Sequence, residues 1–88
     1  MSVKRASGYI ITDSDKDYVI LTAAQASAIV RFCRGKREDD DHYARGDVEC
    51  EWHTVGDHLI WIGSNMVCLS RRDVTTLEST LRADGVLK

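Results

Sequence analysis

The residues of this chain best suited to chemistry are the cysteines and histidines near its middle. Cys50 and His53 are separated by two residues, a spacing common among zinc ligands, and Cys33, His58 and Cys68 are further candidate ligands. On a β-strand, however, positions 50 and 53 point to opposite faces, and the sequence has no paired Cys-x-x-Cys motif. We therefore predict that the chain binds no metal and no cofactor. The cysteines are expected to pack as small apolar side chains.

Cys50 is also the candidate nucleophile, because His53 or His58 could serve as its base. No Gly-x-Ser-x-Gly motif, phosphate-binding loop or His-Glu-x-x-His motif accompanies this pair. A chain of 88 residues also has little room for a substrate pocket. We expect no catalytic residue and a protein that is not an enzyme.

An acidic run, Glu38–Asp41, offers oxygen ligands for a divalent cation. Four adjacent carboxylates repel one another and favour a solvated loop, whereas two-metal sites draw their ligands from separate rigid elements. The run also lacks the glycine and the distal glutamate of an EF-hand. We predict instead a docking patch for lysine and arginine side chains of a partner protein. Its candidate residues are Glu38, Asp39, Asp40, Asp41, His42 and Tyr43.

A basic pair, Arg71 and Arg72, stands at the start of a predicted helix, where positive charge opposes the helix dipole. This placement suggests a phosphate contact, and Lys4 and Arg5 are candidates to extend the same surface. The alternative is that Asp73 and solvent compensate both arginines. We include Arg71 and Arg72 among the candidate partner-binding residues.

Two amphipathic helices must position these side chains. The first begins with a capping box, Thr22 to Gln25. An apolar stripe follows, and the glycine just beyond it, Gly35, predicts that the helix ends in a left-handed cap. The second begins at Ser70 with Asp73 three positions later. Their apolar stripes are Ala26, Ile29, Val30 and Cys33 in the first, and Val74, Leu77 and Leu81 in the second, which Gly85 follows.

The remaining segments predict strands, giving an α+β fold with one antiparallel sheet of about five strands and two helices in a single domain, residues 1–88. The segment Lys36–Asp47 has no periodicity, which predicts an exposed loop. The loop ends in an Arg-Gly-Asp tripeptide, residues 45–47, in which we expect Gly46 to serve as a turn residue. The predicted strands are 8–12, 17–21, 48–55, 58–62 and 66–69.

The segments Tyr18–Thr22 and Met66–Ser70 align at an offset of 48 residues, and the helix stripes that follow align as well. This similarity indicates either a duplication or the chance recurrence of a common strand–cap–helix unit. Both explanations predict the same architecture.

Two predicted strands, His58–Ile62 and Met66–Leu69, are apolar on both faces, which is typical of strands covered on both sides. Two short helices can cover one face of a sheet. The acidic loop, a division of the helices between the faces, or a second protein chain could cover the other. We favour a second chain, either a homodimer or an obligate partner. Trp52 and Trp61 are most simply core or sheet-face anchors, and the alternative is that either forms the aromatic centre of an interface.

Composition and charge limit the possible functions. The chain is 43% hydrophobic and 30% charged, which excludes a disordered, collagen-like or disulfide-dense protein. Residues 34–57 carry eight acidic and four basic side chains, which is unlike a general nucleic-acid binder. Three features predict a cytoplasmic protein with no membrane contact. The number of cysteines is odd, no apolar stretch follows Lys4 and Arg5, and no apolar segment is long enough to cross a membrane.

These observations predict a small protein-binding module that inhibits or regulates a partner protein with a basic surface by occupying that surface. Phage anti-defence proteins, such as anti-CRISPR or anti-restriction factors, have a comparable size and charge, and they are the concrete form of this hypothesis. The alternative is a nucleic-acid-binding regulator that uses the basic residues around Arg71 and Arg72.

Overall fold

The computed structural model describes residues 1–35, 42–52 and 57–87. Within these ranges the chain forms seven strands and two helices. The strands are β1 (Ser2–Arg5), β2 (Tyr9–Thr12), β3 (Tyr18–Leu21), β4 (His42–Arg45), β5 (Val48–Trp52), β6 (His58–Ile62) and β7 (Asn65–Leu69). The helices are α1 (Ala23–Arg34) and α2 (Arg71–Ala83).

The α+β class is confirmed, and the strands form two antiparallel sheets rather than the single sheet of about five strands that we predicted. The first sheet has the strand order β1-β2-β3, and the second has the order β4-β5-β6-β7. Neighbouring strands within each sheet are consecutive in the chain, so both sheets are meanders. Consecutive strands of each sheet are therefore joined by segments that are short in sequence.

Two strands were missed because their own sequences carry little β-strand pattern. β1 has one apolar residue, Val3, and β4 lies inside the segment Lys36–Asp47 that we predicted to be a loop. Both are strands because of their partners: β1 pairs with β2, and β4 pairs with β5 across a turn at Gly46, whose φ is +61°. Residues 36–41 of the predicted loop lie outside the described residues.

Both helices begin as predicted. In each capping box two residues exchange hydrogen bonds, because the backbone N–H of each one donates to a side-chain oxygen of the other. The two pairs are Thr22 with Gln25 and Ser70 with Asp73. The predicted left-handed cap at Gly35 is wrong, since Gly35 has extended backbone with φ −69°. The second helix does end in a left-handed residue, Gly85, where the N–H of Val86 donates to the carbonyl oxygen of Leu81.

Among the described residues, fifteen buried apolar side chains from both sheets and both helices form one core. Strand alternation directs Ile11, Val19, Ile60 and Val67 into it, and the side chains between them on these strands point away. The expectation that β6 and β7 are covered on both faces stays a prediction, since the cover that we favour for the second face is another protein chain. The helices pack on one face of the sheets, which leaves Met66 exposed on the other.

The order β-β-β-α occurs twice, as β1–β2–β3–α1 and as β5–β6–β7–α2. The offset of 48 residues seen in the sequence places Tyr18, the first residue of β3, on Met66 of β7, and Ala23, the first of α1, on Arg71 of α2. The segment His42–Arg45 lies between the two units and adds an edge strand to the second. The similarity thus extends from a strand–cap–helix unit to a unit of three strands and a helix.

Candidate functional site: two open sheet faces

The first sheet presents an apolar face to solvent. In β3, Val19 and Leu21 enter the core, so that Tyr18 and Ile20 point outward with 53% and 60% of their surface exposed. The neighbouring Ile10 is half-buried on the same face, in register with Ile20, and Lys4 follows in register on β1. This face therefore runs from a lysine at the edge strand to large apolar side chains on β3.

The second sheet has a similar open face with charge of the opposite sign. Its outward side chains on β6 and β7 are apolar, and β5 contributes two exposed carboxylates, Glu49 and Glu51. Glu51 is in register with Leu59, and Glu49 is in register with Trp61. The apolar members of the face are Leu59, Trp61, Met66 and Cys68, of which Met66 is 36% exposed and the others are half-buried.

The two open faces meet at a groove between the β2–β3 turn and the β6–β7 turn. Tyr18 and Met66, which correspond at the 48-residue offset, both line it. The other lining residues are Lys16, Asp17, Ser64 and Asn65. Apolar side chains from both sheets therefore border one solvent-accessible groove.

Asp13 ties the two sheets together beside this groove. Its Oδ1 accepts hydrogen bonds from the backbone N–H groups of Asp15, at 2.9 Å, and Asp17, at 3.0 Å, which shapes the β2–β3 turn. Its Oδ2 accepts a hydrogen bond from the N–H of Cys68 on β7, at 3.1 Å. Only 6% of the Asp13 surface is exposed. One buried carboxylate thus satisfies three backbone donors, one of them in the other sheet.

The predicted acidic docking residues fall in two places. Glu38, Asp39, Asp40 and Asp41 lie outside the described residues. His42 and Tyr43 belong to the edge strand β4, where His42 is exposed and in register with Glu51. The Nε2 atom of His42 lies 3.9 Å from a carboxylate oxygen of Glu49. His42 and the two glutamates thus border the open face of the second sheet.

The predicted basic surface is divided between the two ends of α2. Arg71 and Arg72 are exposed in its first turn. Arg5 lies at its other end, where its Nε donates to an Asp84 carboxylate oxygen at 2.7 Å. A helix of 13 residues is about 20 Å long, so Arg5 does not extend the surface around Arg71. The nucleic-acid alternative stays a prediction that rests on Arg71 and Arg72.

Asp84 has a pKa below its ordinary value, first because of the hydrogen bond from Arg5 and then because of the one from the hydroxyl of Tyr9. The same bonds raise the pKa of Arg5 and of Tyr9. A carboxyl group whose pKa is lowered by folding stabilises the protein above its unfolded pKa, and the effect is lost as pH falls through the folded value. Asp84 therefore contributes to acid sensitivity below about pH 4.

We expect the stability of an Asp84→Asn variant to fall less steeply than that of the natural chain between pH 4 and pH 2. Chemical denaturation at several pH values measures this difference. Glu78 keeps some acid sensitivity in both proteins, because a hydrogen bond from Arg82 also lowers its pKa. Equal pH dependence of the two proteins would contradict the role assigned to Asp84.

The cysteines have packing positions. Cys50 is fully buried in the core, and Cys33 packs against the core from α1. Burial is the main cause that raises the pKa of the Cys68 thiol, followed by the charge of Asp57. A raised pKa disfavours the reactive thiolate form. Across residues 1–35, 42–52 and 57–87, no three His, Cys, Asp or Glu side chains converge to hold a metal ion. His53 lies outside these ranges.

A groove beside α1 was not found from the sequence. Small residues of α1, including Ala24 and Ala28, line it together with Val48, and the exposed Arg31 and Arg45 border a volume of about 540 Å³. The two arginines belong to different elements, and no spacing rule connects them. The sequence therefore contained no signal for this groove.

Comparison with protein-family models, with curated proteins and with solved structures finds no match for this chain. Neither helix of the described part of the chain is long and apolar enough to cross a membrane.

Proposed function

We propose that this chain is a non-enzymatic protein-binding module that acts by occupying the surface of another protein chain. The observation that supports the proposal is the exposure of Tyr18 and Ile20 beside Met66, on sheet faces that neither α1 nor α2 covers. Contiguous exposed apolar side chains are typical of interaction sites, and aromatic residues are enriched among those that dominate binding energy. The open faces are therefore the binding surface in this proposal.

The energetics are those of a reversible complex. Complete burial of a side chain such as Ile20 contributes about 1.5–3 kcal/mol, and the half-buried Ile10, Leu59 and Trp61 have less surface left to bury. Association also costs rotational and translational freedom, so only the surplus becomes affinity. Affinity in the micromolar range is expected, which suits a regulator or inhibitor whose occupancy follows the partner's concentration.

Charges at the margins of the open faces orient the partner. Glu49 and Glu51 lie beside the apolar residues of the second sheet, and the acidic run Glu38–Asp41 directly precedes β4 in the sequence. A partner with an apolar patch bordered by lysine or arginine matches this arrangement, because charge complementarity increases the rate of association. Inhibition by occupying such a surface, as in the anti-defence hypothesis, is the form of action that we propose.

We expect an Ile20→Asp substitution to abolish recovery of the partner when the tagged chain is used in a pull-down from lysate of its host. The introduced carboxylate would have to be desolvated in the complex, which costs several kcal/mol when it is unpaired. Quantitative mass spectrometry compares the natural chain, Ile20→Asp and the control Ser79→Asp, which changes an exposed residue of α2. Recovery of the same proteins with all three baits would contradict the proposal.

A further inference from the structure

We propose that a second copy of this chain occupies the open faces, so that the first sheet of each copy packs on the second sheet of the other. This inference rests on the proposed function, because it uses the same open faces as the binding surface. Each copy carries both of the surfaces that such a contact needs. Charged and apolar side chains follow a matching order along the two faces.

The order is set by the strand register. Across the first sheet, Lys4, Ile10 and Ile20 are in register on β1, β2 and β3. Across the second sheet, Glu51, Leu59 and Cys68 are in register on β5, β6 and β7. Both rows run from a charged residue to apolar residues, and their charges have opposite sign. The two open faces are thus complementary to each other.

The apolar ends of the rows lie on the strands that border the shared groove. Tyr18 of β3 and Met66 of β7 line that groove together, and β3 and β7 contact each other. A twofold axis through the groove places apolar side chains of one copy on those of the other. It also brings Lys4 of each copy toward Glu51 of its partner, so the ion pair forms twice. An arrangement that superposes like faces instead opposes like charges.

The size of the molecule permits this contact. A standard interface takes about 800 Å² from each partner, which is about a seventh of the 5622 Å² accessible surface of the chain. An open face with apolar side chains at its centre and charges at its margin also has the usual composition of an interface. Burial of these faces in the dimer also explains why two residues that are exposed in the monomer, Tyr18 and Ile20, are large and apolar.

Sedimentation equilibrium on the purified chain tests the proposal by charge exchange. We expect a dimer with a dissociation constant in the micromolar range. We expect Lys4→Glu and Glu51→Lys each to raise the dissociation constant of the dimer by about tenfold. Each substitution replaces both ion pairs between the copies by pairs of like charges. The double variant Lys4→Glu/Glu51→Lys restores both pairs in reversed order, so its dissociation constant should return to within about threefold of the original. Ser79→Glu is the control for added negative charge and should leave dimerisation unchanged.

Two results would overturn the proposal. A natural chain that stays monomeric at all accessible concentrations excludes self-association, and a double variant as weak as the two single variants excludes the pairing of Lys4 with Glu51. Neither result removes the proposed function. If the chain is monomeric but Ile20→Asp still abolishes recovery of a different protein from lysate, the open faces bind that protein and only the identity assigned to the partner is wrong.

Discussion

Replacing Asp13 by alanine is expected to lower the free energy of unfolding by about 3 kcal/mol. The Asp13 carboxylate accepts three backbone hydrogen bonds while almost fully buried, and one of them comes from Cys68 in the other sheet. Alanine would leave the N–H of Cys68 without its acceptor and would release the β2–β3 turn. For a domain of this size, such a loss is a large part of the total stability.

Urea denaturation followed by circular dichroism measures the effect of Asp13→Ala. Asp13→Asn is an informative comparison, because its remaining oxygen can keep the turn bonds while its amide group cannot accept from Cys68. We expect it to be intermediate in stability. Asp15→Ala removes an exposed carboxylate from the same turn and should stay within about 0.5 kcal/mol of the natural chain. Asp13→Ala as stable as Asp15→Ala would contradict the role assigned to Asp13.

Replacing Gly8 by alanine is expected to destabilise the chain by about 3 kcal/mol through backbone overlap. Gly8 lies just before β2, and a Cβ atom added there would overlap the carbonyl oxygen of Leu21. Because that atom belongs to the backbone of β3, no side-chain rotation can relieve the contact. The β2–β3 pair would have to separate locally, which also disturbs the edge of the core around Leu21.

Gly46→Ala is the control for Gly8→Ala. It measures the cost of losing the backbone freedom of glycine where the added Cβ atom overlaps nothing. Gly46 has a φ of +61° and no atom near an added Cβ, so alanine there costs about 1 kcal/mol of backbone strain alone. Thermal or chemical denaturation of both variants gives the comparison. A Gly8→Ala variant no less stable than Gly46→Ala would show that β3 can move away from Gly8 at little cost.

The helices could be predicted because their signals are local. Each capping box joins residues three positions apart, and each apolar stripe repeats within one helix. The strands β2, β3, β5, β6 and β7 were also found from alternation and turns. In contrast, β1 and β4 depend on hydrogen bonds to neighbouring strands, and their short polar sequences do not indicate this pairing.

The candidate site was only partly predictable for the same reason. Leu59 and Trp61 indicated in the sequence that a second sheet face is apolar, but the sequence did not say that both helices pack on the opposite face. Asp13 falls between the predicted strands 8–12 and 17–21, and the structure places it in the β2–β3 turn. Its bond to Cys68 spans 55 residues and leaves no pattern in the sequence. Contacts between distant residues thus decided which apolar side chains stay exposed.

Site-specific photocrosslinking tests most directly whether the open faces bind protein. A benzophenone side chain replaces Ile20 in one variant and Ser79, on the exposed side of α2, in another. Both variants are irradiated in lysate of the cells from which the protein comes. We expect adducts with a protein chain, either a second copy or a distinct partner, from position 20 and not from position 79. Equal adducts from both positions, or none from position 20, would contradict the assignment of the open faces as the binding surface.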